Sequence, residues 1–345
     1  ILLDEPTSSL NFEETEKLFE SVRGLCNHGI GIIFVSHRMN EVRELSDRIT
    51  ILRDGVVIVD GVPMSEKTDE EIVSDMLGEK LNTEEKKRKD SNAFESSAEV
   101  LLISFDGYDG ELTVKEGEIV GLAGLAGSGR SSVLRTIWGT KPRSDIHLRY
   151  LGEEYKPKNP MHALKKKIAY ISEDRSESGL FFGQPIKETV LMAHRNLQRK
   201  LLVKNKSEDK LLGQIIGEVQ IKVPTHECMP EALSGGNQQK LLFGRWITDE
   251  AKLLLLDEPT RGVDIKTKHE IYQRVRKMVE ANNAGALVVS SELEELVLMC
   301  DKVLIIRDGH VEDVLTGDRI TENNMMAEIT ASGKTKQQTE DSKSV

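Results

Sequence analysis

LLLLDEPTRGVD (Leu253–Asp264) sets four leucines in front of an acid pair, Asp257-Glu258. A short, wholly apolar run of this kind suits a parallel strand buried on both faces. The acids then fall at the strand's C-terminal end. The chain opens on nearly the same words, ILLDEPTSSLN (Ile1–Asn11), with Asp4-Glu5 after the apolar run. An acid pair alone is common on protein surfaces. The same pair at the end of two matching apolar runs marks an internal repeat.

The repeat extends well beyond this stretch. Ile1–Asn11 align with Leu254–Asp264 at an offset of 253, and LFESV (18–22) matches IYQRV (271–275). After a one-residue insertion, FVSHRMNEV (34–42) matches VVSSELEEL (288–296), and DRITILRDG (47–55) matches DKVLIIRDG (301–309). The order is strand, helix, strand, helix, strand, hairpin turn. Leu18, Phe19, Val22, Leu25 and Cys26 recur at helical spacing, and IGIIFV (30–35) has the composition of a buried strand. The RDG steps at 53–55 and 307–309 read as tight turns. Together these predict doubly wound α/β architecture.

The second copy carries more sequence ahead of it, from about Val100. By internal analogy, the first copy is expected to lack roughly 150 residues upstream of Ile1. Between the copies, residues 81–99 are polar and charge-dense and read as a solvated linker. The tail, 332–345, has the composition of a disordered segment.

EIVGLAGLAGSGRSS (118–132) follows a β-rich run and precedes residues with helical spacing. Gly124, Gly127 and Gly129 let backbone N–H groups turn inward onto phosphate oxygens, where side chains would block the approach. Ser128, Arg130, Ser131 and Ser132 complete the loop. The helix that follows adds its N-terminal partial charge. The pattern Gly124-x-x-x-x-Gly129-Arg130-Ser131 departs from the usual phosphate loop in one residue, Arg130 in place of Lys. Arg130 keeps the charge but is planar and bulkier than an ammonium. This predicts nucleotide binding with impaired transition-state geometry. Ser131 and Asp257, and Asp4 in the first copy, are placed to hold Mg²⁺. Glu258 and Glu5 are placed to orient or deprotonate an attacking water. LSGGNQQK (233–240) puts Ser234, Gly235, Gly236, Asn237 and Gln238 at the opening of a helix, a second anion-binding nest.

A net charge of −11 argues against a nucleic-acid binder that relies on a broad basic face. Cys26, Cys228 and Cys300 are far apart, with no metal-ligand spacing, and suit a reducing compartment. No apolar run approaches the ~18–20 residues of a membrane span.

The order phosphate loop, LSGGNQQ, LLLLDEPT and switch segment resembles that of the ATP-binding cassette. The resemblance covers one complete cassette (100–331) and the C-terminal part of another (1–80). It implies a P-loop NTPase fold with a mixed sheet and a helical subdomain, and ATP with Mg²⁺ as ligands. It also implies that two cassettes pair, each ATP lying between one phosphate loop and the other cassette's signature, here Ser234–Gln238. GLAGSGRSS with Arg130, ISEDRSESGLF (171–181), LSGGNQQK and LDEPTRGVD together resemble the second cassette of sugar-importer ATPases of the ribose, galactose and xylose type. DEPT and SHR (4–7 and 36–38) resemble that group's first cassette. Such proteins energise separate transmembrane permeases from the cytoplasmic face of the membrane, and a solute-binding protein takes part indirectly. The segment 179–200 then belongs to the helical subdomain that meets the permease, with Phe181 and Phe182 as an aromatic knob.

The repeat predicts two unequal sites. His37 follows the first acid pair, and Ser291 stands at the matched position of the second. A Ser is too short to hold water and glutamate in register and carries no charge. Glu173, in ISEDR, stands where the family carries a Gln. The better site would use Glu5 and His37. The site of Arg130, Glu258 and Ser291 would bind nucleotide and turn it over poorly. The alternative is a twin-cassette ATPase acting on ribosomes or DNA, and the mixed-charge linker and Arg130 argue against it. Phe105 and Tyr108 are candidates to stack on adenine.

Overall fold

Alternation within the apolar runs sets up the fold. The computed structural model describes residues 1–331 except 8, 9, 11, 37, 54, 79–93, 199–204 and 247–250. His37, the tail 332–345 and the expected linker as far as residue 93 lie outside the described residues. The chain divides into two units, residues 1–85 with 264–269 and residues 86–263 with 270–345.

The first unit runs β1 (Leu2–Asp4), α1 (Phe12–Asn27), β2 (Ile33–Val35), α2 (Met39–Leu45), β3 (Arg48–Arg53), β4 (Val56–Pro63) and α3 (Asp69–Leu77). This is the order read from the repeat. β1 and β2 pair in parallel, Leu3 opposite Phe34, and β3 and β4 form an antiparallel hairpin. A small core gathers Met39, Ile49, Ile51, Met64 and Ile72. A full capping box starts α3: Thr68 accepts from the Glu71 N–H while the Glu71 carboxylate accepts from the Thr68 N–H. One expectation fails here. ILL and IGIIFV were expected to be buried, yet Leu2 is 78% exposed and Ile33 63% exposed. The reason is topological: β1 and β2 form a sheet of two strands, which offers too few neighbouring side chains on either face to build a covering layer.

The second unit begins with β5 (Glu99–Phe105), β6 (Tyr108–Lys115), β7 (Ile119–Ala123), α4 (Arg130–Trp138), β8 (Ile146–Tyr150), β9 (Glu153–Glu154), α5 (Pro160–Lys165) and β10 (Ile168–Ile171). It continues with α6 (Ile186–Gln198), α7 (Asn205–Glu218), α8 (Gly235–Gly244), β11 (Leu253–Asp257), α9 (Ile265–Ala281, from residue 270 on in this unit), β12 (Gly285–Val289) and α10 (Leu293–Met299). β13 (Lys302–Arg307), β14 (His310–Thr316) and α11 (Glu322–Thr330) end it. The central sheet has the order β10-β11-β12-β7-β13-β14, parallel except for the last hairpin strand. A second, antiparallel sheet has the order β6-β5-β8-β9.

β11 shows why the leucine run had to be apolar throughout. Leu254 and Leu256 face a core shared with α6 to α11, while Leu253 and Leu255 face a second core shared with the antiparallel sheet. Every side chain of the strand is buried. Gly285 at the start of β12 permits the close approach of the two sheets, since a Cβ there would lie 2.5 Å from Val114 Cγ1. α6, α7 and α8 make up the helical part, where Arg195 donates to both Glu188 and Glu208. The solvated linker was expected to reach residue 99, but Phe94 is buried and its carbonyl accepts from Lys115 Nζ. The polar count around it concealed one apolar anchor.

Candidate nucleotide-binding site

The phosphate loop connects β7 to α4, and its glycines adopt the conformations that the expected cradle requires. Gly127 and Gly129 have φ of 81° and 95°. Gly124 sits against Ile306 O and the Ser128 side chain, with no room for a Cβ. Gly129 serves as the N-cap of α4, so the first N–H groups of that helix face the loop. The Ser128 hydroxyl is buried without a hydrogen-bond partner. An orphaned donor inside a ring of turned glycines fits an anion. The loop is braced from β13–β14: Gly309 N donates to Ser128 O at 2.7 Å, and a Cβ on Gly129 would lie 2.8 Å from Gly309 Cα.

Around the loop the structure gathers Arg130, Ser131, Asp257, Glu258 and Ser291. Ser131 Oγ donates to Asp257 Oδ1 at 2.7 Å. Ser291 Oγ donates to Glu258 Oε2 at 3.1 Å. Ser132 Oγ accepts from Lys141 Nζ at 2.9 Å. Glu258 sits at φ 50°, and its N–H is held by Val289 O at 2.9 Å. Burial raises the pKa of both Asp257 and Glu258 above the usual carboxylate range, and hydrogen bonds from Ser131 and Ser291 oppose that shift. Burial likewise lowers Arg130, against the pull of Glu258 and Asp257. Arg130 Nη1 donates to Ser290 O at 2.8 Å, so its fork is turned toward the switch segment. Ser131 and Asp257 present converging oxygens of the kind that Mg²⁺ accepts when phosphate and water supply the remaining ligands.

Four residues around this cluster were not foreseen. Tyr170, on β10, donates to Asp257 Oδ2 at 3.0 Å, and Arg135 Nη2 lies 4.0 Å from the same oxygen. Trp138 stacks on Tyr170 with ring centroids 5.6 Å apart. Arg261 donates to Glu173, so this acid has a cation opposite it. A helical-spacing argument would have placed Arg135 on the loop's helix. Tyr170 carried no signal beyond its neighbourhood to ISEDR.

The signature lies elsewhere in the unit. Ser234 caps α8 by accepting from Asn237 N at 3.4 Å, as the opening-helix reading expected. Gly235 O accepts from Arg175 Nη1 at 3.0 Å, Asn237 Oδ1 from Lys222 N at 3.1 Å, and Gln238 Nε2 donates to Pro230 O at 3.0 Å. These contacts tie Gly236 and its neighbours to the helical part, not to the loop of the same unit. In the first unit, Asp4 ends β1, and Glu5 follows at φ 43° with its N–H on Val35 O at 2.9 Å. Phe105 is not available to adenine: it is buried in the second core, edge-on to His310 at 5.4 Å. Phe181 and Phe182 are 41% and 40% exposed, as the knob reading required.

Residues 109–261 match the ABC transporter family model. The chain is 35% identical over 332 residues to the galactose/methyl galactoside import ATP-binding protein MglA of Fusobacterium nucleatum, covering 94% of this chain and 66% of that protein. It is 35% identical over 330 residues to the ribose import ATP-binding protein RbsA of Bacillus subtilis, covering 94% and 66%. The chain thus spans just under two thirds of the length of these curated relatives. Among solved structures, the ADP conformation of the ATP-binding cassette MJ1267 superposes with a TM-score of 0.55 at 17% identity, covering 68% of this chain and 96% of that one. That likeness concerns the fold, a P-loop NTPase cassette. With identity above one third sustained along nearly its whole length, the chain belongs to the ABC transporter family as one of its ATP-binding proteins.

Proposed function

We propose that this protein binds ATP and Mg²⁺ and helps to energise the import of a simple sugar or a related small solute through separate permease subunits. The observation that carries this reading is the cluster of Ser131, Asp257, Glu258 and Ser291 around the glycine loop, in a chain whose relatives are sugar-import ATP-binding proteins. Ser131 and Asp257 would hold the metal, which supplies charge neutralisation on the phosphates. Glu258 would orient water, and the loop amides and Ser128 would hold phosphate oxygens. Arg130 and Ser291 make this the weaker of two sites. Glu5 and His37 belong to the better one, and the signature Ser234–Gln238 would contact a nucleotide held by a paired cassette. Glu173, paired with Arg261, adds its negative charge to the surroundings of Arg130.

Among the described residues no helix is long and apolar enough to cross a membrane. Docking of Phe181 and Phe182 on a permease at the cytoplasmic face is the reading we favour, with a solute-binding protein linked only through that permease. Affinity purification from membranes tests this against the ribosome or DNA alternative. Recovery of transmembrane permease subunits with the chain is the expected outcome. Co-sedimentation with ribosomes and no permease would contradict it.

A further inference from the structure

The two copies share a buried network that joins the acid-pair motif to the switch segment. In the second unit, Glu295 on α10 is 2% exposed. Its carboxylate accepts from Thr260 Oγ1 at 2.7 Å and from Ser290 Oγ, and Ser290 Oγ accepts from Glu292 N at 3.0 Å. In the first unit, Glu41 on α2 is 6% exposed. It accepts from Thr7 Oγ1 at 2.8 Å and from Ser36 Oγ at 2.7 Å, and Ser36 Oγ accepts from Arg38 N at 3.0 Å. Thr7 maps to Thr260 at offset 253, and Ser36, Arg38 and Glu41 map to Ser290, Glu292 and Glu295 at offset 254. Around them the copies diverge: HRMN in one stands against SELE in the other.

A carboxylate taken out of water is costly unless hydrogen bonds satisfy it. The same pair of hydroxyl contacts, to which Arg38 Nη1 adds an ion pair with Glu41 at 3.1 Å in the first copy, is built twice with its flanks otherwise changed. Its position explains why. Each Thr lies two residues after the acid of the pair, Glu5 or Glu258. Each Ser immediately precedes the switch position, 37 or 291. The glutamate therefore bridges the two backbone segments that carry the proposed water-orienting acid and its switch partner.

We infer that Glu41 and Glu295 are positioning residues, each pinning the switch segment to the turn that holds the acid. Displacement of one segment is then felt by the other through this side chain, in addition to the backbone bonds Glu258 N–Val289 O and Glu5 N–Val35 O and the Ser291–Glu258 contact. The role assigned to the two segments rests on the ATPase reading, whereas the mechanical coupling does not.

Hydrogen–deuterium exchange on the chain tests it. Glu295→Ala should speed exchange by on the order of tenfold at Glu258 and Arg261 and also at Glu292 and Glu295's own position, the loss of one to two buried hydrogen bonds. The β5–β6 hairpin should not respond. Glu295→Gln, which keeps an acceptor for one hydroxyl, should restore part of the protection. Thr260→Val leaves the glutamate in place and covers the case in which Glu295→Ala does not fold. It should loosen residues 290–292 as well as its own turn. Glu41→Ala should reproduce the pattern at Glu5 and Arg38. Changes confined to the substituted segment, or spread evenly over the unit, would overturn the inference. ATP binding is measured on the same samples. A wild-type chain that binds no ATP would sink the nucleotide reading and leave the exchange result to stand alone.

Discussion

At the scale of single residues, the site is governed by what surrounds Asp257. Three groups face this one carboxylate: the Ser131 hydroxyl, the Tyr170 phenol and the Arg135 guanidinium. Burial alone would favour its neutral form, and these partners oppose that. Tyr170→Phe should therefore destabilise the chain by about 1.5–3 kcal/mol, the usual range for a hydrogen bond to a charged group. Urea unfolding reads this directly, and an unchanged midpoint would mean that Tyr170 contributes nothing there. The sequence disclosed Ser131, Asp257, Glu258 and Ser291 because loop, strand and repeat each fix a position along the chain. It did not disclose Tyr170 or Arg261. Each meets its partner across 87 or 88 residues, and such pairings depend on the order of strands in the sheet. The glutamates of the pin were visible in the repeat alignment, as identical residues within changed flanks. Only burial and geometry gave them a task.

At the scale of elements, the β13–β14 turn and the phosphate loop support each other. Asp308 and Gly309 adopt φ of 49° and 80°, the positive pair that a two-residue hairpin turn needs. The RDG reading anticipated the turn but not its function as a buttress for Ser128 and Gly129. Gly129→Ala would drive a Cβ into Gly309 and force a strained φ. We expect it to abolish ATP binding by equilibrium dialysis while the chain stays folded by circular dichroism. Retained affinity would show that the loop is not the cradle. Arg143 links the same turn to Asp145, donating to Gly309 O at 3.2 Å and to Asp145 Oδ1 at 3.0 Å. That pairing holds the Asp145 carboxyl at about 2, below its ordinary 3.8. A depressed carboxylate pKa stabilises above the unfolded value and stops doing so as pH falls through the folded one. The thermal midpoint should therefore drop between pH 4 and pH 2 in the wild type. Asp145→Asn should flatten that drop, and an identical slope in both would remove the pair from the account.

At the scale of the whole molecule, one sequence pattern meets two outcomes. Leu253–Asp257 lies inside a six-stranded sheet with every side chain buried, while Leu2–Asp4 pairs with one strand and stays largely open. Periodicity could specify that both runs are strands. It could not specify how many neighbours each would find, because that number is set by strands elsewhere in the fold. The functional claim at this scale is that the loop of Gly124–Ser131 binds nucleotide and turns it over poorly, because Arg130 and Ser291 stand in its catalytic positions. The most direct test measures ATP binding and steady-state ATP turnover on this chain and on its Glu258→Gln variant. The account predicts saturable binding by both, with turnover that is low and the same within about threefold. Robust turnover in the wild type that Glu258→Gln lowers by on the order of a hundredfold would contradict it.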